Sequence, residues 1–132
     1  MQTVILYLAT LVIFLAIDIA GISLIIRPVF ERQVGELLAD PFRLGPAVAF
    51  YAAYIAGLLY FVSLPGIGRS EGGAIFLNGM LLGLMCYGTY EFTNLATLRD
   101  WSIQQVVVDT IWGGLLTGFS AWAGVAVARW LA

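Results

Sequence analysis

Four long apolar stretches follow one another along this chain, and the connections between them carry most of its charged residues. The stretches cover about residues 3–26, 46–64, 73–98 and 103–131. An α-helix needs roughly 20 apolar residues to cross a bilayer, so each stretch is long enough for one transmembrane span. The pattern predicts an all-α, polytopic integral membrane protein. Its fold would be a four-transmembrane-helix bundle that forms a single domain over residues 1–132.

The first connection is predicted to contain a short helix after span one. Arg27-Pro28 should end the first span, because proline interrupts the hydrogen bonds of a helix that continues through it. Over residues 29–39, apolar side chains recur at helical spacing among charged ones, which is typical of an amphipathic helix in the membrane interface. Asp40-Pro41 and Gly45-Pro46 then indicate turns before span two.

The composition supports a membrane protein and excludes several kinds of site. Hydrophobic residues make up 61% of the chain and charged residues 11%, whereas soluble domains carry about a quarter charged residues. With no His and one cysteine, Cys86, the chain is unsuited to zinc, haem or iron–sulfur binding. We therefore expect no cofactor and no metal, although carboxylates alone could hold a hard cation. We interpret Cys86 as a small buried hydrophobic residue.

Two further classes of function are excluded by the residue types. Nucleic-acid binding would need a basic stripe, which the sequence lacks. Nucleophilic catalysis through a Ser-His or Cys-His pair is excluded because the chain has no His.

Arginine placement predicts the orientation of the bundle. The positive-inside rule places the connections after spans one and three in the cytoplasm and both termini outside. Those connections carry four of the six Arg residues, namely Arg27, Arg32, Arg43 and Arg99, against Arg69 and Arg129 on the other side. We expect a multi-pass protein of a bacterial inner membrane.

Three acidic residues interrupt the apolar stretches. Glu91 lies nine residues before Asp100 and Asp109 nine residues after it, so a helical hairpin would place both about 13 Å from its turn. Asp18 lies nine residues before Arg27 and would reach a similar depth. An acid at a span centre costs about 2.5–3.5 kcal/mol on insertion scales. Acids placed there usually face the bundle interior or a water-filled cavity.

Polar side chains accompany these acids. Tyr87, Glu91 and Asn94 share one stripe of span three, with Tyr90, Thr93 and Thr97 beside it, and the Trp112 indole could donate to Asp109. Because no Lys or His is nearby, the acids cannot all be ionised, which suits proton exchange or binding of a cationic or hydroxyl-rich head group. The candidate ligand- or proton-binding residues are Asp18, Tyr87, Tyr90, Glu91, Thr93, Asn94, Asp109 and Trp112, with Arg27 and Arg99 as a charged rim.

Two other patterns concern packing and anchoring. Tyr51, Tyr54 and Tyr60 decorate span two and are interpreted as interfacial anchors. Gly79-x-x-x-Gly83 and Gly114-x-x-x-Gly118 are small-residue patterns that allow close helix approach, although such patterns also arise by chance.

A long string in span three resembles a known bacterial family. The string is Tyr-Glu-Phe-Thr-Asn-Leu-Ala-Thr-Leu at residues 90–98, and it is followed by Trp101 and by Asp109-x-x-Trp112-Gly113. The family consists of predicted four-span membrane proteins known as the domain of unknown function 2177. The likeness extends to residues 7–10, to Asp18 and to the stretch of residues 32–40.

The resemblance implies four spans and supports the candidate site, but it brings no activity. This chain has Glu91 where the family usually has Asp, which keeps the carboxyl group and lengthens its reach.

Three functions remain open from the sequence. The favoured one is binding or transport of a small molecule, a proton or a lipid head group by the buried acids. The alternatives are a membrane-embedded lipid-modifying enzyme that uses a carboxylate pair, and a structural subunit whose acids hold helices together. The expected partners are membrane lipids, with a homodimer or a larger membrane complex if transport is the task.

Overall fold

Four helices make up the described chain, which comprises residues 1–39, 43–68 and 71–131 of a computed structural model. They are α1 (Gln2–Leu37), α2 (Leu44–Ile67), α3 (Gly72–Thr97) and α4 (Ile103–Leu131), and each is long and apolar enough to cross a membrane. The predicted all-α fold with four spans is confirmed. The predicted turn at Asp40-Pro41 and the position of Arg69 lie outside the described residues.

The prediction that the first helix ends at Arg27-Pro28 is wrong, because α1 continues through the proline. A π turn at Ile22–Ile26 precedes Pro28, and within it the Arg27 N–H bonds to the Ile22 carbonyl five residues back. The ring of a helical proline crowds the carbonyl four residues back. A wider turn just ahead of it relieves that crowding, so the helix axis continues.

Helix α2 also has a π turn shortly before a proline. Its π turn at Leu59–Ser63 precedes Pro65, and the Leu64 N–H bonds to the Leu59 carbonyl. In both helices the π turn ends two residues before the proline. Each proline therefore reshapes its helix without ending it.

The amphipathic segment predicted after span one is present as a continuation of α1. In Arg27–Val34, Val29 and Val34 are buried whereas Glu31 and Arg32 are exposed. Pro28 does not separate this segment from the span, so the charged connection begins only after the short 3₁₀ turn at Gly35–Leu37.

Helix α4 is the central helix of the bundle. In its most apolar 18-residue window 56% of residues are buried, against 28%, 28% and 22% in α1, α2 and α3. It packs most extensively against α3 and next against α1. The interior of the bundle is therefore built mainly around α4.

The two glycine patterns meet at the contact between α3 and α4. A Cβ atom on Gly79 would lie 3.0 Å from the Cα of Gly118, and one on Gly83 would lie 2.5 Å from the Gly113 carbonyl oxygen. Helix backbones can approach this closely only where side chains are absent. The predicted packing role of these patterns is confirmed.

The apolar core fills the half of the bundle that contains the chain termini. Leu6 and Phe14 of α1 pack there with Ile55 of α2 and with Leu116 and Val125 of α4. The opposite half, towards the α3–α4 turn, holds the acidic residues in place of a continuous core.

We expect Gly83→Ala to weaken the bundle. The added methyl group would meet the Gly113 backbone, so α3 and α4 must move apart, and such overpacking costs about 1–3 kcal/mol. The free energy of unfolding in detergent micelles measures the effect.

The matched control is Gly57→Ala in α2, where an added Cβ meets nothing within 4 Å. Alanine favours a helix over glycine by up to about 1 kcal/mol, so this variant should be as stable as the wild type or more stable. Equal stability of the Gly83 variant and the wild type would contradict the close α3–α4 contact.

Candidate ligand-binding cavity

A cavity of about 520 Å³ lies between the four helices, in the half of the bundle that carries the acids. Helix α1 contributes Asp18, Ile22, Ile26 and Phe30, which follow one another at four-residue spacing. The π turn lies within this run and helps to keep the four side chains on one wall, because a π turn holds more residues per turn than an α turn.

Asp18 reaches the cavity with its carboxyl group held by aromatic donors. Its side chain is only 3% exposed, and Oδ1 accepts a hydrogen bond of 3.3 Å from the Trp112 indole N–H. The Tyr51 hydroxyl lies beside the same carboxyl group. Asp18 is therefore an oriented acceptor, although its partners come from α2 and α4.

The sequence suggested that the Trp112 indole donates to Asp109. In the structure it donates to Asp18 instead. The indole ring packs directly over Gly21, and a Cβ atom at that position would overlap the ring. Because Gly21 is one turn from Asp18, a ring packed over Gly21 directs its indole N–H towards the Asp18 carboxylate. Gly21 is thus a functional position that sequence reasoning missed, and no sequence signal singled it out.

The interpretation of Tyr51 and Tyr54 as interfacial anchors is wrong. Both line the cavity, both are partly buried, and the Tyr54 hydroxyl lies 2.9 Å from Thr117 Oγ1 on α4. Tyrosine near a span end anchors at the interface only when its helix turns it outwards, as α2 does for the exposed Tyr60.

Helix α3 contributes Cys86, Tyr87 and Tyr90 to the cavity. The Tyr87 ring packs over Gly113, where any side chain would collide with it, and its hydroxyl is buried without a hydrogen-bond partner among the described residues. Cys86 is exposed, so its interpretation as a buried hydrophobic residue is wrong.

Glu91 and Asp109 form a carboxyl pair across the α3–α4 contact. Glu91 is fully buried, and Oε1 accepts a hydrogen bond of 2.9 Å from the Trp101 indole N–H. Its Oε2 is buried and finds no donor among the described side chains. Asp109, 7% exposed, lies between Glu91 and the cavity, whereas Glu91 itself does not line it.

The α3–α4 turn supports this pair. Trp101 packs edge-to-face against Phe30 of α1 and Tyr90 of α3, with ring centroids 5.3 and 6.0 Å apart. Next to it, Ser102 and Gln105 form a capping box, with Gln105 Oε1 accepting from the Ser102 N–H and Ser102 Oγ from the Gln105 N–H. The sequence singled out Trp101 only through the family string.

Besides Glu91, four predicted site residues lie outside the cavity. Thr93 is exposed and Asn94 is only partly buried, although Asn94 lies near Tyr90. Arg27 is exposed and pairs with Glu31 at 2.7 Å, one turn along α1. Arg99 is exposed at the α3–α4 turn. The cavity thus gathers Asp18, Tyr87, Tyr90, Asp109 and Trp112 from the predicted set, with Glu91 directly behind Asp109.

A family comparison agrees with the resemblance in the sequence. The family described as "Predicted membrane protein (DUF2177)" matches residues 3–126, which is nearly the whole chain. The chain belongs to the DUF2177 family. Every cavity residue and both members of the carboxyl pair fall inside the matched range. No curated protein and no solved structure matches this DUF2177 chain.

We expect Trp101→Phe to destabilise the DUF2177 bundle. It keeps an aromatic ring between Phe30 and Tyr90 but removes the donor to Glu91, and a buried acceptor left without its partner costs about 1–3 kcal/mol. Chemical denaturation in detergent measures the loss.

Trp130→Phe is the matched control, because Trp130 is exposed near the end of α4. It should change stability by less than about 0.5 kcal/mol. Similar losses in the two variants would show that the indole bond to Glu91 contributes nothing beyond ring size.

Proposed function

We propose that this DUF2177 protein binds a small molecule or lipid head group in the cavity, with Asp18 and Asp109 as the ligand acceptors. The observation that carries the proposal is that two acidic residues, from α1 and α4, line the same cavity and lie close to each other. The membrane is proposed to be a bacterial inner membrane.

The composition of the cavity wall supports ligand binding over helix association. Ligand sites are mostly apolar and aromatic, with a few placed polar groups. Here the polar groups are the carboxyl groups of Asp18 and Asp109, with tyrosine hydroxyls and the Trp112 indole, among apolar and aromatic side chains from all four helices. Acids that served only to join helices would be expected to lie within a helix–helix contact, whereas Asp18 and Asp109 both line the cavity.

Proton exchange is a second candidate, favoured by the Glu91–Asp109 pair. Two carboxylates in contact away from water repel each other, so the pair is stable when one proton lies between them. That proton would also satisfy the otherwise unpaired Oε2 of Glu91. Because Asp109 lines the cavity, a ligand that binds there could compete for the shared carboxyl group.

The geometry gives less support to a lipid-modifying enzyme. A general acid and a general base must both reach the reacting atoms. Only Asp109 of the carboxyl pair lines the cavity, and Glu91 is fully buried behind it.

If the protein transports its ligand, a homodimer is the proposed assembly, because four helices are few for a complete path.

We expect Asp18→Asn and Asp109→Asn to lose a ligand that co-purifies with the wild-type protein. Each substitution keeps the size of the side chain and removes a carboxyl group from the cavity. Mass spectrometry of small molecules and lipids released from purified protein gives the comparison.

The control for this comparison is Glu31→Gln, which removes an exposed acid of α1 outside the cavity. It should retain whatever the wild type retains. If all four proteins release the same molecules in the same amounts, the two acids do not bind a ligand.

We also expect an infrared band from a protonated carboxyl group at neutral pH. Glu91→Gln and Asp109→Asn should each remove it, because the new amide donates a hydrogen bond to the remaining carboxylate. Asp18→Asn should leave it in place, since Asp18 already accepts from Trp112. A wild-type spectrum without this band would contradict a shared proton.

A further inference from the structure

We propose that the ligand is an amphiphile with an ammonium head group, which enters the cavity sideways from the bilayer between α2 and α3. This inference rests on the proposed function, and it adds the chemical class of the ligand and the route by which it arrives.

The route follows from where α2 and α3 part. The backbone of the α2 π turn at Leu59–Ser63 packs against α3, whereas the backbone of Leu44–Leu58 lies farther from Gly72–Thr97. The Tyr54–Tyr87 ring contact joins the two helices there, and the gap lies beyond it, beside Ala47 and Phe50. The side chains on either side of this gap line the cavity and are also exposed, with Phe50 66% and Tyr90 52% accessible. Because both helices span the membrane, the gap opens towards lipid.

The head-group class follows from the ionisable groups inside. Asp18 and Asp109 are the acidic side chains that line the cavity in the described chain, and no basic side chain lines it there. The Glu91–Asp109 pair keeps one negative charge when it holds one proton, so the cavity stays negative. Arg27, the nearest cation along α1, is directed to Glu31 and lies outside the cavity wall. A phosphate or carboxylate head group would be repelled from such a site, whereas a cation would be attracted.

The aromatic wall favours a cation over a neutral hydroxyl. Tyr51, Tyr54, Tyr87 and Trp112 line the same cavity as the carboxyl groups, and Tyr51 and Trp112 lie directly against Asp18. Aromatic faces attract a cation through the ring quadrupole, and the attraction is stronger where water is excluded. A hydroxyl head group would use the acceptors but gain nothing from the ring faces.

The apolar lining leads from the head-group site to the gap. Ile22 and Ile26 of α1 and Ala47 and Phe50 of α2 line the remaining wall. An alkyl chain attached to the head group could lie along these side chains and continue into the bilayer. A water-soluble cation would leave this surface uncovered.

The test uses dodecylammonium that carries a photoreactive diazirine beside the nitrogen, added to the protein in phosphatidylcholine nanodiscs. Peptide mass spectrometry locates the labelled residues after irradiation. We expect labelling on the cavity wall around Asp18, Cys86 and Asp109. Unlabelled dodecylammonium should compete with it, whereas dodecanol, dodecyl sulfate and ethylammonium should not.

A pair of plug variants tests the route. Ala47→Trp places a large ring on the cavity wall at the gap, and Ala49→Trp places the same ring on an exposed position of α2 outside the cavity. We expect Ala47→Trp to lower specific labelling roughly tenfold, equivalent to a tenfold loss of affinity. Ala49→Trp should label like the wild type.

The outcomes separate this inference from the proposed function. Equal competition by ethylammonium, or full labelling of Ala47→Trp, would overturn the lipid-side amphiphile but leave a ligand site. Equal competition by dodecanol would overturn the ammonium head group alone. If no probe labels the cavity competitively and no molecule co-purifies, the proposed function itself is wrong.

Discussion

The close approach of α3 and α4 is the constraint on which the rest of the structure depends. Gly79 meets Gly118 and Gly83 meets Gly113, so the two backbones are held almost in contact along one face. Helices held at this separation can also bring polar side chains into contact nearer the α3–α4 turn. The Glu91–Asp109 pair lies between the glycine contact and the turn that carries Trp101.

Glycine also has a second role, which is to leave room for aromatic rings of the cavity. Gly21 leaves room for the Trp112 indole and Gly113 for the Tyr87 ring. Both rings would be displaced by a methyl group. The position of each ring then decides where its polar atom lies, the indole N–H against Asp18 and the phenol hydroxyl in a buried position beside Tyr51. Gly113 therefore takes part both in the close contact of the two helices and in the placement of a cavity side chain.

The π turns explain how two prolines are used inside membrane-spanning helices. A lipid-exposed helix must satisfy its backbone groups internally, so a proline that simply broke the helix would be costly. The turn at Ile22–Ile26 keeps α1 continuous and lies in the cavity wall, while the turn at Leu59–Ser63 marks where α2 packs against α3. Towards the N-terminal end of α2 the backbones of α2 and α3 lie farther apart, and side chains of both helices line the cavity there.

The sequence by itself determined the number of helices, the hairpin register and the acids of the interior. Hydropathy is a property of the chain, and residues equidistant from Asp100 meet because α3 and α4 rise by the same step per residue. Glu91 and Asp109 could therefore be paired by counting alone. Tertiary packing decided which polar side chains face inwards. The direction of a side chain depends on how its helix is rotated against its neighbours, so Tyr51 turned inwards, Thr93 outwards, and Trp112 towards Asp18 on a helix that lies far away in the sequence.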